Sequence, residues 1–295
     1  MEGAKRRSFD GLPSLAYSPG LGPACKVCRA RTRLFDVVDF NKCCSAEPYC
    51  FGLSGIVVAY YRCDSCQFIF TELIDDWSSD EVSEFIYNAD YVKVDPDYLE
   101  IRPRRTAVHL APLLSGCKSA RILDYGSGSG VFAEAMEGQG FTGIKSYDPF
   151  SSPTIPTGTF DLITCIEVLE HAPDPLKTLI EIAARLSGDG AILVGQTLQP
   201  ENIEEIAGRW WYLAPRNGHV SLFAHETFVA LAERAGLRYE GGSGVYAFTR
   251  AQVGEPILHL LNVIRSGMLP DIRRRLARAT WRHRIRSLLR RLGAP

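Results

Sequence analysis

The chain has 295 residues, of which 46% are hydrophobic and 23% charged, with a formal net charge of −1. These are the proportions of a soluble globular protein, long enough for one large core plus a small module. Near-neutrality argues against nucleic acid as a partner of the chain as a whole, and no apolar run approaches the roughly 20 residues that span a bilayer.

Residues 1–22 carry early basic residues among Gly, Pro and Ser but no continuous apolar stretch, and read as a disordered lead rather than a secretory signal. The nine cysteines then point to a reducing, cytoplasmic setting, where thiols bind metal or sit in cores. Residues 23–76 hold seven of them. Cys25-Lys26-Val27-Cys28 and Cys63-Asp64-Ser65-Cys66 form two C-x2-C knuckles separated by 34 residues. Four thiolates on two tight turns supply the tetrahedral sulfur cage that zinc prefers, so Cys25, Cys28, Cys63 and Cys66 are the expected ligands of a structural zinc. Cys43, Cys44 and Cys50 lie between the knuckles with poorer spacing.

Residues 77–115 turn helical, with a linker helix from about Asp80, a loop through Asp95-Pro96 and a helix from Thr106 to Leu114. Tyr87, Tyr91 and Tyr98 either pack the cysteine module onto the main domain or cap a ligand cleft.

The stretch that organises the chain is Arg121-Ile122-Leu123-Asp124-Tyr125-Gly126-Ser127-Gly128-Ser129-Gly130. It reads as a buried parallel strand, a tight turn and, from Val131, a helix. Glycines let the turn approach a ligand closely, and its N–H groups face whatever lies above the strand. Asp148, at the tip of the next strand (143–148), can accept both hydroxyls of a ribose. The stretch is therefore a nucleoside-cofactor site. Gly128-x-Gly130-x-x-Ala133 with Asp148 also satisfies the dinucleotide fingerprint, so spacing alone leaves a nicotinamide cofactor open.

Residues 149–159 are too few for a further helix and strand before the apolar run Phe160–Val168, so one edge element is abbreviated to a Pro-rich loop. Asp174 caps a helix ending near Ser187-Gly188, followed by a buried strand at 191–194. Residues 199–224 form a long connection, which in a compact domain is usually functional. His225–Ala235 is a helix, and Leu237–Glu240 and Val245–Thr249 are the last strands. The final segment, 251–295, holds nine arginines between Arg273 and Arg291 with interleaved apolar residues. This basic amphipathic helix either packs by its apolar stripe or makes peripheral contact with an anionic membrane.

Asp124-x-Gly126-x-Gly128-x-Gly130, Tyr147-Asp148-Pro149 and Phe160-Asp161…Glu167-Val168-Leu169-Glu170-His171 resemble class I S-adenosylmethionine-dependent methyltransferases, most closely the small-molecule branch with the EVLEH signature. The resemblance covers about residues 105–250. The two knuckles are similar to the zinc-binding module that precedes some sugar C-methyltransferases. The resemblance implies an α/β fold: a doubly wound, Rossmann-like methyltransferase sheet with an abbreviated third-strand edge, in residues 116–250, behind the zinc module. It implies that Gly126, Ser127, Gly128 and Gly130 lie under the methionine part of the cofactor, with Asp124 near its amino group. Asp148 would hold the ribose, followed by Pro149, and Cys165, Ile166 and Glu167 would line the cofactor. The family's usual acid for the adenine amino group has no counterpart in residues 149–159.

The expected activity is methyl transfer to a small-molecule acceptor, a sugar or sugar nucleotide being the first candidate. Alternatives are an RNA methyltransferase gripping RNA through the zinc module and arginine tail, or a cofactor-binding scaffold. His219, in the long connection, is the first candidate for a base or substrate contact, and His171 the second. Trp210, Trp211 and Arg216 would wall the acceptor, with Arg216 gripping a phosphate or carboxylate.

Overall fold

The computed structural model describes residues 22–152, 154–241 and 244–265. The proposed N-terminal lead up to residue 21 and the arginine-rich tail lie outside the described residues.

In the N-terminal part, β1 (Thr32–Asp39) pairs antiparallel with β2 (Val57–Cys63), and β2 with the short β3 (Ile69–Phe70). Three helices come next: α1 (Ser79–Phe85), α2 (Tyr91–Val94) and α3 (Ile101–Leu113). α1 starts at a reciprocal cap, in which the Ser78 hydroxyl accepts from the Glu81 N–H and the Glu81 carboxylate accepts from the Ser78 N–H. α3 begins at Ile101, a turn and more before the expected Thr106.

The glycine turn then joins β4 (Ile122–Tyr125) to α4 (Val131–Glu137), which returns to β5 (Ile144–Tyr147). A loop whose described residues hold no helix leads to β6 (Phe160–Ile166). α5 (Pro175–Ala183) starts where the Asp174 carboxylate accepts from the Lys177 N–H, 2.9 Å away. It stops earlier than the sequence suggested. β7 (Leu186–Gly195) already includes Ser187 and Gly188, because Leu186 pairs with Phe160 ahead of a register shift. After α6 (Ile203–Ile206) and β8 (Ser221–Leu222) come α7 (His225–Ala235), β9 (Arg238–Gly241), β10 (Val245–Thr249) and α8 (Glu255–Arg265).

The main sheet runs β5-β4-β6-β7-β10-β9, parallel up to β7 and antiparallel beyond it. β5 is its edge, as the short 149–159 stretch implied, and Lys145 and Ser146 are exposed there. The central strand β4 is buried throughout, as a parallel strand covered on both faces must be. On one face Ile122, Leu162 and Leu193 pack with Leu110 of α3, Met136 of α4 and Leu260 of α8. On the other, Leu123, Ile163 and Val194 pack with Ile182 of α5 and Leu231 of α7. The knuckle cysteines Cys25, Cys63 and Cys66 belong to this second layer.

The smaller sheet is β1-β2-β3-β8, and its last strand comes from the far half of the chain. The long 199–224 connection is thereby stitched to the cysteine region. Buried Lys42 donates to the Trp210 and Leu213 carbonyls, at 2.8 and 2.5 Å. Asn217 Oδ1 accepts from the Cys44 N–H at 2.8 Å, and the Tyr60 hydroxyl donates to the His219 carbonyl at 2.7 Å. None of the described helices is long and apolar enough to cross a membrane.

Candidate functional site

The four knuckle thiols converge. Their Sγ atoms all lie within 4.8 Å of one another, with Cys25–Cys66 at 3.7 Å and Cys28–Cys63 at 3.4 Å. A zinc–sulfur tetrahedron with bonds near 2.3 Å has edges of about 3.8 Å, so the separations suit that ion. The two turns repeat one geometry. The Cys25 N–H donates to the Ala30 carbonyl and the Cys63 N–H to the Phe68 carbonyl, at 3.0 and 2.9 Å. The residues after the second cysteines, Arg29 and Gln67, both take positive φ, 64° and 59°. In the second turn the Ser65 and Cys66 N–H groups donate to Cys63 Sγ. Hydrogen bonding from the Cys66 thiol pulls the Cys25 thiol below its ordinary value.

The second site lies at the carboxyl ends of β4, β5 and β6, where a doubly wound sheet binds its ligands. Gly126, Gly128 and Gly130 all have positive φ. A Cβ on Gly126 would sit 2.3 Å from Val168 Cγ2, so this position is closed to any other residue. A Cβ on Gly128 would meet nothing within 4 Å, which leaves open room above the turn. The Gly126 and Ser127 N–H groups both donate to the Tyr147 carbonyl, tying the turn to β5. Asp148 closes the same corner: one carboxylate oxygen accepts from the Gly128 N–H at 3.0 Å, the other from the Phe150 N–H at 2.9 Å. Pro149 and Phe150 are exposed beside it.

Asp124 is 4% exposed. Thr164 donates to its Oδ1 at 2.9 Å, while Oδ2 is buried without a partner among the described residues. Burial pushes this carboxyl up to about 7. An orphaned buried carboxylate oxygen fits the ammonium of an amino-acid-bearing cofactor. The open turn and the Asp148 carboxylate suit its other parts. Cys165 does not share in this: it is fully buried in the core, so its side chain serves packing. Ile166 and Glu167 are half-buried at the strand end. Glu167 carries a positive φ of 54°, a strained conformation of the kind that clusters at functional sites.

Beyond β6, Glu170, His171 and His219 come together, each offering one ligand-type atom within 4.8 Å of the others. Tyr212 donates to Glu170 Oε1 at 2.6 Å. Main-chain carbonyls hold both Nδ1 atoms, Gly218 for His171 at 3.1 Å and Tyr212 for His219 at 2.8 Å. Each imidazole thus carries its proton on Nδ1 and presents Nε2 as the acceptor. Burial holds His171 at about 4 and His219 well below its ordinary value, so both are neutral near pH 7. Burial raises Glu167 and Glu170 together, while Arg102 opposes the rise at both.

The two histidine rings are 5.1 Å apart, but they are not equivalent. His219 is buried behind, and His171 lines a cavity of about 180 Å3 together with Trp77, Tyr87 and Phe150. Sequence put His219 before His171 as the candidate base; of the two, His171 is the one that lines this cavity. Arg216 is also reassigned: its guanidinium donates to the Ile86 carbonyl and to Asn88 Oδ1, and serves to anchor α1 rather than to grip a ligand. Trp210 is buried in the core of the smaller sheet. Sequence reasoning left out Trp77 and kept Tyr87 undecided. The Ser78-x-x-Glu81 capping box just after Trp77 is the signal that would have placed α1 there.

Comparison with known proteins agrees with this geometry. The family described as "Methyltransferase domain" matches residues 98–240. The ubiquinone biosynthesis O-methyltransferase of Vibrio parahaemolyticus is 30% identical over 103 residues, covering 26% of this chain and 43% of that one. The enzyme of the same name from Thiobacillus denitrificans is 30% identical over 152 residues, covering 41% and 63%. The chain thus spans between two-fifths and two-thirds of these curated relatives. Among solved structures, an O-methyltransferase family protein from Burkholderia thailandensis aligns over 59% of this chain and 64% of its own, at 13% identity and a TM-score of 0.43.

Proposed function

Because residues 98–240 form a class I S-adenosylmethionine-dependent methyltransferase domain, we propose that this protein transfers a methyl group to a small-molecule acceptor. The observation that carries the reading is the pairing of a buried Asp124 oxygen lacking a partner with the Asp148 carboxylate across an open glycine turn. The O-methyltransferase relatives support oxygen as the atom methylated. A sugar or sugar nucleotide as acceptor rests on the resemblance of the cysteine module alone.

Asp124 would pair with the cofactor's ammonium and Asp148 with its ribose, and Gly126, Ser127, Gly128 and Gly130 would supply the close main-chain floor. S-adenosylmethionine held there would supply an electrophilic methyl and leave as S-adenosylhomocysteine, while the acceptor would give up a proton. Neutral His171, with Nδ1 fixed on the Gly218 carbonyl, receives that proton at Nε2. His219 is buried beside it, its ring 5.1 Å away. Protein groups here mainly align the acceptor and exclude water, which can supply much of the rate. The cysteine cage would hold one structural zinc and fix the module that pins the 199–224 connection.

The test is His171→Asn against His219→Asn. Turnover falling at least about a hundredfold in the first with unchanged S-adenosylhomocysteine affinity supports the assignment. Normal turnover in His171→Asn removes this histidine from the chemistry.

A further inference from the structure

Three cysteines outside the knuckle cage gather on the turn that follows β1. Cys43 is 1% exposed in the core of the smaller sheet, and Cys44 and Cys50 are half-buried against it. Cys43 Sγ lies 3.9 Å from Cys50 Sγ. Cys44 Sγ instead lies 3.6 Å from His219 Nδ1. Geometry therefore selects one pair.

The two halves of the turn differ in how firmly they are held. On the Cys43 side, the Cys43 N–H donates to the Pro48 carbonyl at 2.8 Å, the Lys42 carbonyl accepts from the Arg216 N–H at 3.1 Å, and the Cys44 N–H donates to Asn217 Oδ1. On the Cys50 side, Ala46, Glu47, Pro48 and Tyr49 are exposed, and a Cβ on Gly52 or Gly55 would meet nothing within 4 Å. A disulfide bond is about 2 Å long, so closure asks the sulfurs to approach by about 2 Å, and the Cys50 side has the room. Burial and the neighbouring Cys43 push the Cys50 thiol up, so it rests protonated.

Lys42, Cys44 and Phe51 each adjoin a member of the pair, and each holds the 199–224 connection. The Lys42 ammonium donates to the Trp210 and Leu213 carbonyls, Cys44 is bonded to Asn217, and the Arg216 guanidinium lies over the Phe51 ring, 5.4 Å from its centroid. Tying Cys43 to Cys50 joins these handles to one another.

We propose that Cys43 and Cys50 form a reversible dithiol–disulfide site, oxidised by a small disulfide such as glutathione disulfide, whose closure braces the connection that carries His219. The half-buried Cys50 attacks the small disulfide as its thiolate, forming a mixed disulfide and releasing one small thiol. Cys43 then attacks the Cys50 sulfur, and the second small thiol leaves. Two protein thiols are oxidised, one small disulfide is reduced to two thiols, and the cysteines' two protons pass to the leaving thiolates.

The experiment incubates the full chain, purified without chelator, with glutathione disulfide, then blocks the remaining thiols with N-ethylmaleimide in denaturant. Trypsin and chymotrypsin, cutting after Lys42 and Tyr49, separate Cys43 and Cys44 from Cys50. Mass spectrometry should find the two pieces joined, with one maleimide on the piece that holds Cys43 and Cys44, and dithiothreitol should part them. Cys44→Ser should keep the link, whereas Cys43→Ser and the milder Cys50→Ala should each lose it. In hydrogen exchange, residues 210–219 should take up deuterium more slowly in the oxidised chain than in the reduced one, with no such shift in Cys50→Ala. A link through Cys44, or a mixed disulfide that never advances to a link, overturns the pairing. Unchanged exchange across residues 210–219 in the linked chain overturns the brace.

Discussion

At the residue scale, Asp124 is a buried carboxyl whose charge the fold carries at a cost. Its carboxyl sits near 7 rather than its ordinary 3.8 because burial penalises the charged form. The folded chain therefore holds this proton between about pH 4 and 7 while the unfolded chain has released it. Stability contributed through this group declines as pH rises across that window and stays low above it. Asp124→Asn removes the penalty. We expect the ligand-free variant to melt a few degrees higher than the parent at pH 8, at roughly 2–4 °C per kcal/mol gained, with no difference at pH 4. The same variant should lose cofactor affinity, since an amide cannot pair with an ammonium as a charge. In the parent, affinity for S-adenosylhomocysteine should rise from pH 6 to pH 8 as Asp124 ionises. A flat pH profile would show that Asp124 does not face the ammonium. Gly126 is a second such position: Gly126→Ala places a methyl against Val168 at a φ of 77°. Thermal melting should show a loss of about 1–3 kcal/mol from the strain alone.

Among the elements, the long 199–224 connection is structural before it is functional. Lys42 is buried with its ammonium on two carbonyls of this connection, and burial pulls it down to about 8. Lys42→Met keeps the stem and removes the donor. Leaving two carbonyls short of a partner should cost about 1–3 kcal/mol, visible as a lower denaturation midpoint. An unchanged midpoint would mean that water replaces the ammonium. The strands and glycine turn of the main sheet were legible in the sequence because parallel, doubly covered strands are continuous apolar runs and their turns are marked by glycine. The abbreviated edge was legible from chain length alone. β1 was not, since Thr32-Arg33-Leu34-Phe35-Asp36 mixes charges into a strand with one exposed face. Nor was the start of β7, where Ser187-Gly188 looks like a helix end but pairs in the sheet. The fate of Arg216 depends on Ile86 and Asn88, far away in sequence. Local pattern carries no trace of such a contact, and a loop arginine then reads as a ligand grip. The glycines, Asp124 and Asp148 are legible as a candidate cofactor site because they are contiguous with regular elements, whereas the cavity wall is assembled from four separate segments.

The molecule as a whole is a six-stranded sheet that carries the proposed cofactor turn, with a four-cysteine module packed against one of its layers. β8 is shared between the smaller sheet and the long connection, and the knuckle cysteines sit in the same core layer as α5 and α7. Metal removal should therefore act at a distance. Stripping zinc with a chelator, or Cys63→Ser, should lower the melting temperature. Elemental analysis of the parent should give about one zinc per chain, as a closed four-thiolate site requires. Protein purified without chelator and lacking metal would rule out the cage.

That the glycine turn, Asp124 and Asp148 hold a sulfonium nucleoside is open to calorimetric titration of the parent and of Asp148→Ala with S-adenosylmethionine, S-adenosylhomocysteine and NAD. Both sulfur nucleosides should bind the parent in the micromolar range, roughly −8 kcal/mol, and lose that affinity in Asp148→Ala, while NAD should not bind. Binding of NAD alone, or sulfur-nucleoside affinity untouched by Asp148→Ala, would overturn this assignment of the turn.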